Sequence, residues 1–111
     1  MLKSDKNALE QANCNSEVEL VPDNGRRSFY GKGVMLLGKN GYRFCRSYRT
    51  IVAMETPNGS LVRVWNGYSP TTMSHISSFC VTNGISSIGK KVWDKMKVGK
   101  RYTKEQISEL A

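Results

Sequence analysis

The chain has 111 residues, a length that suits one domain able to bury a core without disulfides or metals. It carries 17 Lys and Arg against 9 Asp and Glu, which gives a formal net charge of +8 at pH 7. This balance favours attraction to polyanions and argues against imitation of nucleic acid, because mimicry requires many carboxylates in an array. No apolar run approaches the roughly 20 residues of a membrane span, and residues 1–15 lack the apolar stretch of a signal peptide.

Three cysteines, Cys14, Cys45 and Cys80, form an odd set without CxxC spacing. We therefore expect reduced thiols in a cytoplasmic protein that does not contact membranes. A zinc site would need a fourth ligand, and His75 is the sole histidine in the sequence. We expect neither a metal nor any other cofactor.

Residues 1–15 are mostly polar and could form a short helix over residues 4–12, but we predict a mobile arm preceding a single domain over residues 16–111. Apolar and alternating patterns predict about four antiparallel strands, over residues 17–21, 28–37, 42–55 and 61–65. Asn40-Gly41 lies between two apolar runs and is the strongest local signal for a hairpin. The run over residues 42–55 is long enough that we expect a bend near its middle.

After residue 65 the apolar pattern takes the period of a helix. Ser69 can accept from free N–H groups of a first helical turn, and Pro70 suits its first position. Asn83-Gly84 should end this helix. A second helix is predicted over residues 86–96 and a third within residues 100–111, where Thr103 and Gln106 would form a capping box.

The predicted fold class is α+β: an antiparallel β meander of about four strands followed by two or three C-terminal helices that cover one face. Strand and helix patterns together predict which apolar side chains meet between the two layers. The expected core includes Val52, Met54, Val64, Met73, Ile76 and Phe79.

Basic residues are segregated along the chain. Seven lie between Arg26 and Arg49 with no acidic residue, and seven more lie between Lys90 and Lys104 against Asp94 alone. Such segregation creates a positive field that attracts phosphate backbones or acidic protein surfaces. The residues predicted to contact nucleic acid or a partner protein are Arg43, Arg46, Arg49, Lys90, Lys91 and Lys95.

The segment over residues 42–49 alternates aromatic and basic side chains. An arginine can bind a phosphate through two hydrogen bonds, and an aromatic ring can stack on a base. Equally, the aromatic residues could pack inward while the arginines are solvated. Arg43 and Arg49 share a parity that Arg46 does not, so a bulge would be needed to place all three on one face.

His75 is the one candidate for acid–base chemistry near neutral pH. Catalysis would require an orienting carboxylate, and no acidic residue lies between Glu55 and Asp94 in the sequence. We therefore predict that the protein is not an enzyme and has no catalytic residue. His75 is instead expected to hydrogen-bond the sheet, at Tyr48 or Thr50.

The helical region admits a further interpretation. Residues 69–93 are spaced like a helix-turn-helix, in which residues 86–96 would be the recognition helix and its lysines would contact phosphates. An ordinary helical hairpin has the same spacing. The sequence leaves both open.

Two stretches resemble a pattern found in a family of small uncharacterised phage and prophage proteins. They are Ser47-Tyr48-Arg49-Thr50-Ile51-Val52-Ala53 and Tyr68-Ser69-Pro70-Thr71-Thr72-Met73-Ser74-His75-Ile76-Ser77-Ser78-Phe79, of the form SYxTxVA…YSxTTxxHxxxF. The resemblance covers about a third of the chain and carries over no residue roles. It implies a setting, a mobile element inside a bacterial cell.

The sequence thus predicts a small basic, non-enzymatic protein of a phage or mobile element that acts in the host cytoplasm. Its expected partner is nucleic acid or a nucleic-acid-bound host protein. The alternative is a direct protein inhibitor of a host defence nuclease, similar to anti-CRISPR proteins, that places the same positive surface on an acidic patch.

Overall fold

The structure is a computed structural model that describes residues 1–22 and 29–111. The helices are α1 (Lys3–Glu10), α2 (Pro70–Thr82), α3 (Lys90–Lys95) and α4 (Lys104–Leu110). The strands are β1 (Ser16–Glu19), β2 (Gly33–Leu37), β3 (Arg43–Ser47), β4 (Thr50–Glu55), β5 (Leu61–Arg63) and β6 (Arg101–Tyr102). Short 3-10 turns at Ala12–Cys14 and Lys39–Gly41 join α1 to β1 and β2 to β3.

The six strands form one antiparallel sheet in chain order, from β1 at one edge to β6 at the other. β6 joins the sheet after α2 and α3, where Leu61 pairs with Tyr102. The predicted α+β class and antiparallel sheet are confirmed. There are more strands than the four expected, because residues 42–55 form two strands and β6 lies in a segment predicted as helical.

The C-terminal helices pack on one face of the sheet, as predicted, and α1 adds a helix on the opposite face that was not predicted. α2, α3 and α4 bury the larger cluster, which includes Val52, Phe79 and Trp93. Ala8 and Leu9 of α1 pack on the opposite face in a smaller cluster. Of the predicted core residues, Val52, Met73, Ile76 and Phe79 lie on the first face, whereas Met54 and the half-buried Val64 lie on the second.

Residues 1–15, predicted as an arm outside the domain, pack against the sheet through a buried charge. Asp5 has no exposed surface. Its carboxylate accepts from the Tyr42 hydroxyl at 2.8 Å and from Arg101 Nη2 and Nε at 2.7 and 3.0 Å. These bonds, led by the one from Arg101, lower the pKa of Asp5. The mobility predicted for the segment stays a prediction.

The run over residues 42–55 folds back on itself instead of bending as one strand. Ser47 pairs with Thr50, so Tyr48 and Arg49 form a two-residue turn between β3 and β4. Tyr48 adopts a positive φ of 57°. Glycine or asparagine usually occupies such a position, so the turn at Tyr48 was not predicted.

α2 begins and ends where the sequence predicts. The Ser69 hydroxyl accepts from the Thr72 N–H at 3.1 Å, and Pro70 is the first helical residue. Asn83 caps the C-terminus, and Gly84 follows with a φ of 74°, which a residue with a side chain adopts less readily. These signals are local, so the bounds follow from the sequence alone.

The two remaining C-terminal helices differ in how well they were predicted. α4 has the expected capping box, in which Thr103 and Gln106 bond each other's backbone N–H groups. α3 starts at Lys90 instead of residue 86, with Gly89 before it and no side-chain cap. Within the described residues, no helix is long and apolar enough to cross a membrane.

Arg63 is a buried cation that joins β5 to α3. Its guanidinium donates to the carbonyls of Trp93 at 2.6 Å, Trp65 at 2.9 Å and Gly67 at 3.2 Å. It also lies 4.5 Å from the centre of the Trp93 ring. Four backbone carbonyls, counting Met96 at 3.3 Å, solvate this charge, so Arg63 serves the core and not a binding surface.

Candidate nucleic-acid interface

The three arginines predicted to act together do not share a face. Cys45 packs in the cluster under α2, so Arg43, two residues earlier, points to that side. Arg46 lies on the α1 side, like Phe44. A bulge exists, but it inserts Val52 into β4 and leaves the alternation of β3 unchanged.

Arg46 is largely neutralised by its neighbours. One guanidinium nitrogen is ion-paired with Glu17 of β1, and another donates to the side-chain oxygen of Asn13 at 3.1 Å. The side chain therefore ties β3 to β1 and to the turn after α1. A group held this way is less available to a phosphate than an unpaired arginine.

Arg43 lies near the far end of α2. Its Nη1 donates to the Asn83 side-chain oxygen at 2.8 Å, and Glu55 is its partner across the β3–β4 pair. Burial raises the pKa of Glu55, against the opposing charges of Arg43 and Lys104. Arg43 remains exposed, but its environment contains a carboxyl group.

The three predicted lysines lie on α3, at a different part of the molecule from β3. Lys90 forms an ion pair with Asp94, and Lys95 donates to the Leu110 carbonyl at 3.0 Å. Lys91 is exposed. α3 is a short helix separated from α2 by residues 83–89, a longer connection than the about three or four residues of a helix-turn-helix.

Two of the six lie beside exposed aromatic residues: Lys90, which is near Tyr68 but paired with Asp94, and Arg49. We call the region around Arg49 the tyrosine edge: Tyr30, Lys32, Tyr48 and Arg49. Tyr30 is 77% exposed and Tyr48 is 50% exposed. The Tyr48 N–H donates to the Lys32 carbonyl at 2.7 Å, and Lys32 Nζ lies 5.7 Å from the centre of the Tyr48 ring. The inward packing weighed for the aromatics thus holds for Tyr42 and Phe44 but fails for Tyr48.

Both tyrosines of this edge have a left-handed backbone. The φ angle is 53° at Tyr30 and 57° at Tyr48. A non-glycine residue in this region costs about 1–2 kcal/mol, and neither ring recovers the cost by full burial. Sequence reasoning placed both residues in strands and missed this feature, because tyrosine is common in strands and uncommon at such turns.

A buried polar cluster lies beneath Tyr48. Ser47 Oγ lies 2.7 Å from His75 Nδ1 and 2.9 Å from Thr72 Oγ1. His75 thus hydrogen-bonds the sheet as expected, but through Ser47 and not through Tyr48 or Thr50. Its ring packs so closely on Gly33 that a Cβ there would lie 2.8 Å from the imidazole.

Ser47 and His75 are the residue types of a catalytic nucleophile and base, but their environment does not suit catalysis. Ser47 and His75 are both buried, and burial lowers the pKa of His75, so the imidazole is neutral near pH 7. Among the described residues, its hydrogen-bond partner is a hydroxyl and not a carboxylate. The arrangement best serves to join α2 to β3 under the Tyr48 turn.

The cysteines offer little reactive chemistry. Cys45 and Cys80 are buried in the core between β3 and α2, and burial raises the pKa of Cys80 to about 12. Cys14 is exposed and free. Within residues 1–22 and 29–111, no group of three or more His, Cys, Asp or Glu could hold a metal ion.

Residues 17–95 match the model of a family described as Family of unknown function (DUF8033). The chain belongs to this family. The matched span runs from β1 through α3, so it includes the tyrosine edge and His75 and omits α1, β6 and α4. No curated protein and no solved structure matches the chain.

Proposed function

We propose that this protein is a non-enzymatic binding module that contacts nucleic acid, alone or within a nucleic-acid–protein machine. The observation that carries the proposal is the tyrosine edge, where exposed cations and exposed aromatic rings adjoin. Lys32 and Arg49 form no ion pair with any residue in the described part of the chain. Their charge is therefore available to phosphates in a way that the charge of Arg46 is not.

The net charge of +8 supports the same proposal. Binding of cations to a phosphate backbone releases condensed counterions, so affinity should fall steeply as salt rises. Lys91 and Arg43 would add to the attraction from other parts of the surface without defining one continuous interface. We place the principal contact at Arg49 and count the lysines of α3 as secondary.

The test is a titration of labelled single- and double-stranded DNA and RNA at several salt concentrations. We expect binding that weakens linearly on a plot of log affinity against log salt. Absence of binding to all four probes even at low salt would remove the proposal.

One observation favours a second candidate, a direct protein inhibitor of a host defence nuclease. Tyrosine and arginine are enriched at the energetic centres of protein interfaces, and both occur at the tyrosine edge. Capture of partners from a nuclease-treated bacterial lysate distinguishes the two. A partner retained after digestion of nucleic acid favours the inhibitor, and a partner lost with the nucleic acid favours the first proposal.

The setting that goes with both candidates is a mobile element acting in the cytoplasm of a bacterial host. It is supported by the sequence resemblance alone. The proposed contact residues do not depend on it.

A further inference from the structure

We infer that the tyrosine edge binds single-stranded nucleic acid, with bases stacked on Tyr30 and Tyr48 and phosphates held by Lys32 and Arg49. This inference rests on the proposed function and names the form of nucleic acid and the site. A base stacks on an aromatic ring without regard to its identity, so the site would tolerate many sequences.

The backbone of the two tyrosines is the first step of the argument. Each adopts a positive φ, 53° and 57°, that glycine would adopt at lower cost. Each ring is nevertheless at least half exposed. The left-handed backbone thus holds each ring at a turn where much of its surface faces solvent, and an exposed ring offers a face on which a base can stack.

The second step is that the Tyr48 ring is held in place. Its turn is closed by the Ser47–Thr50 pair and bonded to the Lys32 carbonyl. One side of the ring meets His75, with the ring centres 5.8 Å apart and the planes tilted by 49°. His75 is itself fixed by Ser47, so the Tyr48 ring is positioned before any ligand arrives.

The third step concerns charge and the form of the ligand. No acidic residue occurs between Arg26 and Arg49 in the sequence, but Glu19 of β1 lies at this edge, where its carboxylate accepts from the Gly31 N–H at 3.2 Å. Lys32 and Arg49 form no ion pair within the described residues, so their charge can still attract phosphates. Stacking needs the face of a base, and a duplex covers those faces with neighbouring pairs. A single strand offers phosphates for the two cations and base faces for the two rings together.

The probes are a labelled oligothymidine strand and a duplex of the same length. The variants are Tyr30→Gly and Tyr48→Gly, which remove a ring and relieve the backbone strain, so the fold should survive. Tyr30→Phe and Tyr48→Phe keep the rings. Tyr68→Ala is the matched control, since Tyr68 is also an exposed tyrosine beside a lysine, with Lys90 Nζ 5.2 Å from its ring centre.

We expect the single strand to bind more tightly than the duplex, each glycine variant to lose about 5- to 150-fold in affinity, and the phenylalanine variants and Tyr68→Ala to bind like the wild type. Circular dichroism would confirm that each variant is folded. Wild-type affinity in both glycine variants, or preference for the duplex, would overturn the inference while leaving the proposed function intact. Failure of the wild type to bind either probe would overturn the inference, and failure to bind single- and double-stranded RNA as well would overturn the proposed function too.

Discussion

At the scale of single residues, Asp5 and Arg101 provide the clearest energetic test. The Asp5 carboxylate is fully buried, whereas the Arg101 side chain is 28% exposed and can turn to water if its partner is lost. The Tyr42 hydroxyl has less freedom, because it is buried with Asp5 as its acceptor.

We predict that Asp5→Ala lowers the free energy of unfolding by about 2–4 kcal/mol, since it removes three hydrogen bonds from a buried site. Urea denaturation measures the change. Asp94→Ala is the control, because its pair with Lys90 is exposed to solvent and should contribute little to stability. Similar losses in the two variants would show that the Asp5 bonds do not stabilise the fold.

His75 gives a prediction about pH. Its pKa in the folded protein is below the ordinary 6.5, so the unfolded chain binds more protons as the solution is acidified. The contribution of neutral His75 to the free energy of unfolding is fully present above pH 6.5, and it is lost as the pH falls toward the pKa of His75 in the folded protein. We expect His75→Asn to be less stable at neutral pH but to lose less stability between about pH 7 and 5.

Glu55 has the opposite effect on stability: because its pKa is raised in the folded protein, the folded state binds more protons and is favoured as the pH falls in the more acidic part of this range. The comparison must therefore be a difference between wild type and His75→Asn, each measured by urea denaturation across the same series of buffers. Parallel pH profiles would mean that His75 does not titrate differently on unfolding.

At the scale of elements, local signals in the sequence were sufficient for some boundaries and not for others. Ser69, Pro70 and Gly84 define α2 because caps and stops act over one helical turn. A short helix was possible over residues 4–12, but the sequence favoured a mobile arm, because the anchor of α1 is Asp5, a residue normally found at the surface, and its partner Arg101 is 96 positions away. A local sequence pattern cannot predict a contact between residues so far apart in the chain.

We predict that the packing of α1 is measurable by hydrogen exchange. An isolated helix of 8 residues is marginal in water, so protection of the α1 amides depends on contact with the sheet. In the wild type these amides should exchange more slowly than an unstructured peptide, and in Asp5→Ala they should lose most of that protection. Unprotected amides in the wild type would instead support the mobile arm predicted from the sequence.

At the scale of the whole molecule, charge along the sequence predicted a basic protein but not where the charge acts. The six candidate residues divide among two faces of β3, its turn and α3, because strand alternation separates neighbours and pairing neutralises some of them. The tyrosine edge could not be predicted, since its two exposed rings depend on positive φ angles that tyrosine seldom adopts.

The arginines of β3 and its turn allow a final test of whether nucleic-acid binding follows net charge or a defined contact. Arg49→Ala and Arg46→Ala remove the same charge, but Arg46 is already paired with Glu17 and Arg49 pairs with no acidic group in the described residues. We expect Arg49→Ala to weaken binding to all sequences and to reduce the salt slope by about 1, whereas Arg46→Ala should change the slope little. Fluorescence anisotropy at several salt concentrations measures both slopes. If the slope of log affinity against log salt changes equally in the two variants, affinity depends only on overall charge, and the tyrosine edge is not the contact surface.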